Sequence, residues 1–332
     1  MSSQHERFLW MTDPWPTLDH TRDTTLRLAE EACNIGAASW WSDVRTLRWR
    51  DGNAHLTAHR IERVKRARSS VTFYFGEQLI TQIDYFDVIH YRVDPPVDPV
   101  YTQPLQILCC AMFQSKQPPE VANPLQTLFA SSEKLETLLL DGLAPPTIVS
   151  SNVAALRRFG RCFGLTVLKP LNNIIGNGVR LLDWRTPGSS RRAATAIRAL
   201  SRGQRTPVLL QQYLPSVMSD GEVRLWFVDG ELLGSVRKRA CRGKFPLNVS
   251  AGDKLEPVPC SSSALKLAPC IAAHLKARRI RLAAVDVIGG YVTDFNCLSP
   301  GLLVLMEDVL GRNLAREAVE ALVTHTNDVV WQ

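Results

Sequence analysis

Four apolar residues in succession, Phe8-Leu9-Trp10-Met11, read as a first buried strand. Behind an N-cap at Asp23 or Thr24, residues Leu26, Leu28, Ala29, Ala32 and Cys33 recur at helical spacing as far as Gly36, which predicts a helix. Ala37 to Trp41 returns to a strand pattern. Tyr85 to Tyr91 (YFDVIHY) predicts a further strand, stopped where Pro95-Pro96 forbids continuation. Strand, helix and strand in this order predict a small open α/β domain closing near residue 121. Phe73-Tyr74-Phe75 is an apolar triplet inside it with no assigned role.

From Asn123 the pattern changes. Ser131 to Leu140 (SSEKLETLLL) predicts a helix capped by Ser131 or Ser132. Thr166 to Lys169 predicts a strand ending at Pro170, followed by a loop with Gly176 and Gly178 and a return strand, VRLL. Arg191 to Leu200 is helical, and Val208 to Tyr213 (VLLQQY) is a strand. EVRLWFV and ELLGSVRK form two strands joined at Asp229-Gly230, a strong hairpin signal. Ser263 to Ala277 and Asn313 to Thr324 are the last predicted helices.

Between those two helices, VDVIGGYVTDFNCLSP (Val285 to Pro300) reads as an apolar hairpin that nonetheless carries Asp286, Asp294 and Asn296. A buried carboxylate needs a cation, a hydrogen-bonding partner or a metal. Asp294 and Asn296, two apart, share one face of their strand. A strict two-residue turn at Gly289-Gly290 would send Asp286 to the other side. A bulged three-residue loop, Gly289 to Tyr291, would set Asp286 across from Asp294, and that form is predicted. Two carboxylates and an amide oxygen then make a hard-oxygen set suited to magnesium beside nucleotide phosphates.

Composition narrows the classes. A length of 332 residues exceeds one ordinary core, while 45% hydrophobic and 21% charged residues describe a folded chain. The net charge of +7 favours an anionic ligand. Arg157-Arg158, Arg191-Arg192 and the run Lys276 to Arg281 read as solvated helix faces, with no DNA- or RNA-binding motif beside them, so no nucleic-acid partner is expected. No apolar run approaches the roughly 18 residues that span a bilayer, so no membrane partner is expected. The charged N-terminus is unlike a signal peptide, which places the chain in the cytoplasm. Eight cysteines without a C-x-x-C pair are expected to be reduced, mostly buried thiols.

Lys134, Lys169-Pro170, Gln211-Gln212-Tyr213-Leu214-Pro215, Asp220-Gly221, Asp286 and DFNCLSP follow one another in an order that resembles the ATP-grasp superfamily, and within it prokaryotic-type glutathione synthetases. MTDPW and RDTTL in the first domain, RVDPPVD, NPLQTLFASSEKL, VLKPL and QQYLP are similar to that family's motifs. The resemblance implies an N-terminal α/β domain (1–121) followed by two α+β subdomains, 122–205 and 206–332, that close over ATP. Lys134 and Lys169 would hold ATP phosphates, Gln212, Tyr213 and Leu214 the adenine, and Asp220 the ribose side. Asp286, Asp294 and Asn296 would hold two Mg2+ ions. Arg224 and Arg239 would serve the transferring phosphate and the peptide carboxylate. Arg22, Arg92, Asp94 and Ser299 would line the substrate side.

The implied activity is ATP-dependent carboxylate–amine ligation through an acylphosphate, joining small-molecule carboxylate and amine substrates: γ-glutamylcysteine and glycine. A homo-oligomer, dimer or tetramer, is implied as well. Departures accompany the likeness. The family's D-G-M-G-G stretch is Asn172-Asn173-Ile174-Ile175-Gly176, its E-T-R-G-N stretch is Gly243 to Asn248, and its metal-site glutamate is Asp294. A related ligase with a different donor or acceptor is therefore the alternative, and an inactive nucleotide-binding scaffold is the alternative of another class. Segments 172–178 and 241–253 are expected to be the moving lids.

Overall fold

The computed structural model describes residues 6–67, 70–172, 178–239, 253–259 and 261–326, with side chains as far as residue 323. Its strands fall into three sheets. The first holds β1 (Arg7–Thr12), β2 (Ala38–Asp43), β3 (Arg48–Arg50), β4 (Asn53–Ala67), β5 (Ser70–Gln82), β6 (Val88–Tyr91) and β7 (Glu120–Ala122). β1 pairs in parallel with both β2 and β6, and β6 in parallel with β7. The helices α1 (Thr24–Asn34) and α2 (Pro99–Gln114) make the crossovers that parallel pairing requires. Asp23 caps α1 by accepting from the Leu26 amide, as the pattern predicts.

One reading of this region is corrected. In YFDVIHY only Val88–Tyr91 is strand, because Ile83–Tyr85 turns as a 3-10 helix. The Asp87 carboxylate is drawn aside to accept from the Arg7 amide at 2.8 Å and from its guanidinium. The triplet Phe73-Tyr74-Phe75 lies in a long antiparallel ribbon, β4 with β5. Phe73 and Phe75 stand edge-on to Trp15, with centroids 5.2 and 5.1 Å away. The ribbon is thereby pinned over the loop that follows β1.

The helix α3 (Leu125–Ala130) leads to a second correction. SSEKLETLLL is not a helix; only Glu136–Leu139 winds, as a 3-10 turn. Its neighbours run along the hairpin at the far end of the chain: Phe295 N donates to Glu133 O at 2.9 Å, and Val292 N to Leu143 O at 2.8 Å. A longer helix would forfeit those pairings.

The second sheet contains β8 (Thr147–Ser150), β9 (Leu165–Lys169), β10 (Arg180–Asp183) and β11 (Val208–Gln212), in the order β10-β9-β11-β8. Strand β11 thus completes this sheet from beyond the boundary expected at residue 205. α4 (Val153–Phe163) and α5 (Pro187–Leu200) cover it and share a separate core of Leu156, Leu168, Trp184, Ile197 and Leu210.

After the short α6 (Ser216–Ser219) comes the third sheet: β12 (Glu222–Val228), β13 (Glu231–Arg239), β14 (Lys254–Pro257), β15 (Leu282–Ile288) and β16 (Tyr291–Asn296). Its order is β14-β13-β12-β15-β16. The stretch Ser263 to Ala277 is divided into a 3-10 turn, Ser263–Leu267, and α7 (Ala268–Ala277), which has proline in its first turn. α8 (Leu303–Leu310) and α9 (Leu314–Thr326) close the fold. The first and third sheets share continuous cores: Leu9, Ile89 and Tyr91 belong to one cluster with Leu225, Val285 and Phe295. No helix among the described residues is long and apolar enough to cross a membrane.

Candidate active site

The β15–β16 hairpin brings its polar residues together by a route other than the predicted one. The turn has two residues, Gly289 and Gly290, both at positive φ (56° and 84°). Val287 pairs with Val292 beside it, and the register then slips so that Asp286 faces Asp294 and Ala284 faces Asn296. Thr293 is the extra residue of a bulge within β16. The predicted common face exists, produced by a bulge in the strand rather than by a longer loop.

Asp286 is buried and its two oxygens are taken. Arg224, its register partner on β12, donates from Nε at 2.8 Å and from Nη2 at 2.6 Å. Lys238 Nζ lies 3.2 Å away and also pairs with Glu222. Burial alone would push the Asp286 carboxyl up, but Arg224 and Lys238 hold it well below the usual carboxylate range. Burial opposes the charge on Arg224 too, and Asp286 more than offsets it. Asn296 Nδ2 donates to Ala284 O at 2.9 Å and approaches Asp286 at 3.4 Å. Asp294 Oδ1 is buried with no hydrogen-bond partner among the described residues.

Lys169, at the end of β9, reaches across from the second sheet and donates to Thr293 O at 2.7 Å. Burial lowers its pKa while Asp294 acts the other way. Lys134 is buried in the same group. Its neighbour Glu133 is buried as well, and burial followed by the charge of Asp294 pushes its carboxyl up to about 8. Tyr213 and Leu214 are half-buried just beyond β11, with the Gln212 amide bonded to Pro146 O and the Tyr213 amide to Leu165 O.

The substrate-side residues separate into two groups. Arg92 is buried, donating to Thr25 Oγ1 at 3.0 Å and to Pro300 O at 2.9 Å. The Asp94 amide donates to Asp13 at 2.8 Å, and its carboxylate accepts from the Ser299 hydroxyl. These contacts join the loops after β1, β6 and β16. Arg22 is exposed, its amide donating to Asp19.

Two other assignments do not converge on the cluster. Asp220 is exposed, touched by the Ser219 hydroxyl. Arg239 turns towards Glu256, at 2.6 Å, and Ser219 O. The cation that β13 sends to Asp286 is Lys238. Lys238, Glu222 and Glu133 are not assigned from sequence; the visible signal is confined to Glu222, an ionisable residue opening the mainly apolar EVRLWFV. The expected lids fall mainly on residues 173–177 and 240–252, outside the described residues. The six described cysteines are free thiols, but only Cys297 among them is buried, which corrects the expectation that most are.

The prokaryotic glutathione synthetase N-terminal domain matches residues 7–128, and the ATP-grasp domain of the same family matches residues 133–310. The chain belongs to the prokaryotic glutathione synthetase family. A glutathione synthetase of Synechococcus elongatus is 29% identical to it over 328 residues, 97% of this chain and 99% of that protein. One from Parasynechococcus marenigrum is 32% identical over 237 residues, 71% of this chain and 75% of that protein. Among solved structures, the D-cycloserine synthetase DcsG shares the fold with a TM-score of 0.67 at 17% identity, over 96% of this chain and 99% of that one. The ATP-grasp ligase PsnB does so with a TM-score of 0.61 at 15% identity, over 96% and 99%. The protein is thus an ATP-grasp enzyme, an ATP-dependent C–N ligase of glutathione synthetase type.

Members of this superfamily typically require magnesium with ATP. Among the described residues no three His, Cys, Asp or Glu side chains converge as a metal cage. Magnesium bound with a nucleotide keeps waters and phosphate oxygens and takes one or two carboxylates from protein. The unpartnered Asp294 oxygen, beside Asn296, is the matching donor.

Proposed function

We propose that the enzyme joins γ-glutamylcysteine to glycine, converting ATP to ADP and phosphate. The observation that carries this reading is the buried group in which Lys134, Lys169 and Arg224 meet Asp286 and Asp294, between the second and third sheets of a chain from this family. Lys134 and Lys169 bind the phosphates, and Gln212, Tyr213 and Leu214 bind the adenine, with Asp220 on the ribose side. The donor carboxylate attacks the γ-phosphorus and ADP departs, leaving an acylphosphate. The amine then attacks the acyl carbon, the phosphate leaves with the C–O bonding electrons, and the nitrogen loses its proton. No protein nucleophile is needed.

Arg224 faces the charge that builds on the transferring group. Lys238, which already reaches Asp286, takes the second cationic position assigned from sequence to Arg239. Arg92, Asp94 and Ser299 orient the substrate where the loops after β6 and β16 meet. Asp294 and Asn296 would hold magnesium, which when bound offsets phosphate charge, while Arg224 and Lys238 keep Asp286 ionised beside them.

Phosphate release from magnesium-ATP tests the reading, with γ-glutamylcysteine and glycine beside a panel of other amino acids and dipeptides. Lys169→Ala and Asp286→Ala serve as blanks. Turnover with the named pair supports the proposal, and turnover only with other pairs reassigns the substrates. Silence with every pair, ATP still being bound, replaces the ligase by a nucleotide-binding scaffold.

A further inference from the structure

Among the described helices of eight or more residues, α2 alone carries no charged side chain. With 21% of the chain charged, about three would be expected over its 16 residues. By contrast α4, α5 and α9 all expose arginines. One face of α2, with Tyr101, Leu105, Leu108 and Ala111, is buried in the core that holds Ile89 and Tyr91. On the opposite face Pro99, Gln103, Gln106, Cys110 and Phe113 are all exposed, at alternating spacings of four and three. That is the period of about 3.5 residues with which one helix seats along another. Phe113 is 86% exposed, and Val100, beside the other end of the seam, is 67% exposed. Large apolar side chains open to water on an uncharged face have the composition of an interface core.

The chemistry of the seam narrows its occupant. An acidic or basic partner would need charge to pair with, and an anionic membrane surface would need a row of lysines or arginines. Two copies of this chain, each of net charge +7, repel one another over most of their surfaces, and this face adds nothing to that repulsion. The seam is also complementary to itself. Gln106 stands at its centre, seven residues from Pro99 and seven from Phe113. A two-fold axis through Gln106 sets α2 antiparallel to its copy, which brings Phe113 against Pro99 and Val100, and Gln103 beside Cys110. The two Gln106 amides then meet, and each offers both a donor and an acceptor to the other.

We propose that the outer face of α2 is a two-fold interface with a second copy of this chain, centred on Gln106. The proposal is independent of the ligase reading, because no residue assigned to the reaction lies on α2.

Sedimentation velocity on the full chain tests it. Wild type is compared with Gln106→Glu, Gln106→Lys, an equimolar mixture of those two, and Phe113→Ser. The proposal expects wild type to sediment as a dimer, or as an even-numbered assembly of such dimers. Gln106→Glu and Gln106→Lys each set like charges face to face on the axis, so each should halve the assembled mass. Their mixture should recover it, because opposite charges then meet. Phe113→Ser, which adds no charge, should raise the dissociation constant about tenfold or more. Both positions are exposed, so the variants keep the fold, which unchanged far-ultraviolet circular dichroism checks. A monomeric wild type overturns the proposal, the face then serving a different protein or none. Wild-type mass in both charged variants overturns it as well, by placing the assembly elsewhere. Halving without recovery in the mixture rules out the pairing of α2 with itself.

Discussion

At the scale of single residues, the site is a balance of buried charges in which each member depends on its neighbours. Arg224 holds Asp286 through two hydrogen bonds, and Lys238 bridges Asp286 to Glu222. Removing one partner of a buried pair leaves the other charge uncompensated, which costs about 3–5 kcal/mol. Arg224→Ala should therefore lose stability in that range in urea unfolding, as well as activity. Arg224→Lys should lose less stability, because it keeps the charge and loses the two-pronged geometry. Glu133 is the opposite case. Its folded carboxyl is pushed up to about 8, above the ordinary glutamate value that the unfolded chain retains. Between those values the native state binds the extra proton, so the contribution of Glu133 to stability is whole at low pH and is lost as pH rises through about 8. Glu133→Gln, free of that loss, should match wild type near pH 4.5 and melt at least ~2 °C higher at pH 8.5, in EDTA without nucleotide. Equal melting temperatures at both values would refute the account.

At the scale of elements, the hairpin and the strand that docks beside it carry the geometry. The Asn123 side chain, at the end of β7, makes four hydrogen bonds to backbone. It donates to Leu282 O and Cys297 O, both at 2.7 Å, and accepts from the amides of Arg281 and Leu282. Asn123→Ala leaves those groups buried without partners, so it should cost about 2–4 kcal/mol and loosen the first sheet from the third. Denaturant unfolding reads the loss, and hydrogen exchange at β15 and β16 locates it. How far such devices can be read in advance depends on their range. The strand β1, the capped helix α1 and the Asp229-Gly230 hairpin are legible because local pattern and turn chemistry decide them. The facing of Asp286 and Asp294 is legible as a requirement of charge, but the bulge at Thr293 that achieves it is not, because a loop of three residues would serve equally. The stretch Ser131 to Leu140 carries a helical pattern, yet its backbone is claimed by β16, more than 150 residues further on. Lys238 is not legible as the cation that meets Asp286, because only the pairing of β12 with β13 and β15 brings the two together.

At the scale of the whole molecule, the first and third sheets share their cores, whereas the second sheet and its helices pack around a core of their own. The buried lysine that crosses from the second sheet to the third is Lys169, tied to Thr293 O. This layout separates a broad base from a smaller cover with the proposed nucleotide site between them, and it makes a prediction about where ligand binding is felt. Magnesium with a non-hydrolysable ATP analogue at 100 times its dissociation constant should stabilise the native state by about 2.7 kcal/mol. In hydrogen exchange the gain should concentrate in β9, β10 and β11, whose own small core makes their opening the least costly, and in the β15–β16 hairpin that faces them. The β4–β5 ribbon should be indifferent. Lys169→Ala should abolish the protection of the second sheet while leaving the exchange of the first unchanged. Protection spread evenly over all three sheets would show instead that they open as one unit, and that the second sheet is not the part that closes.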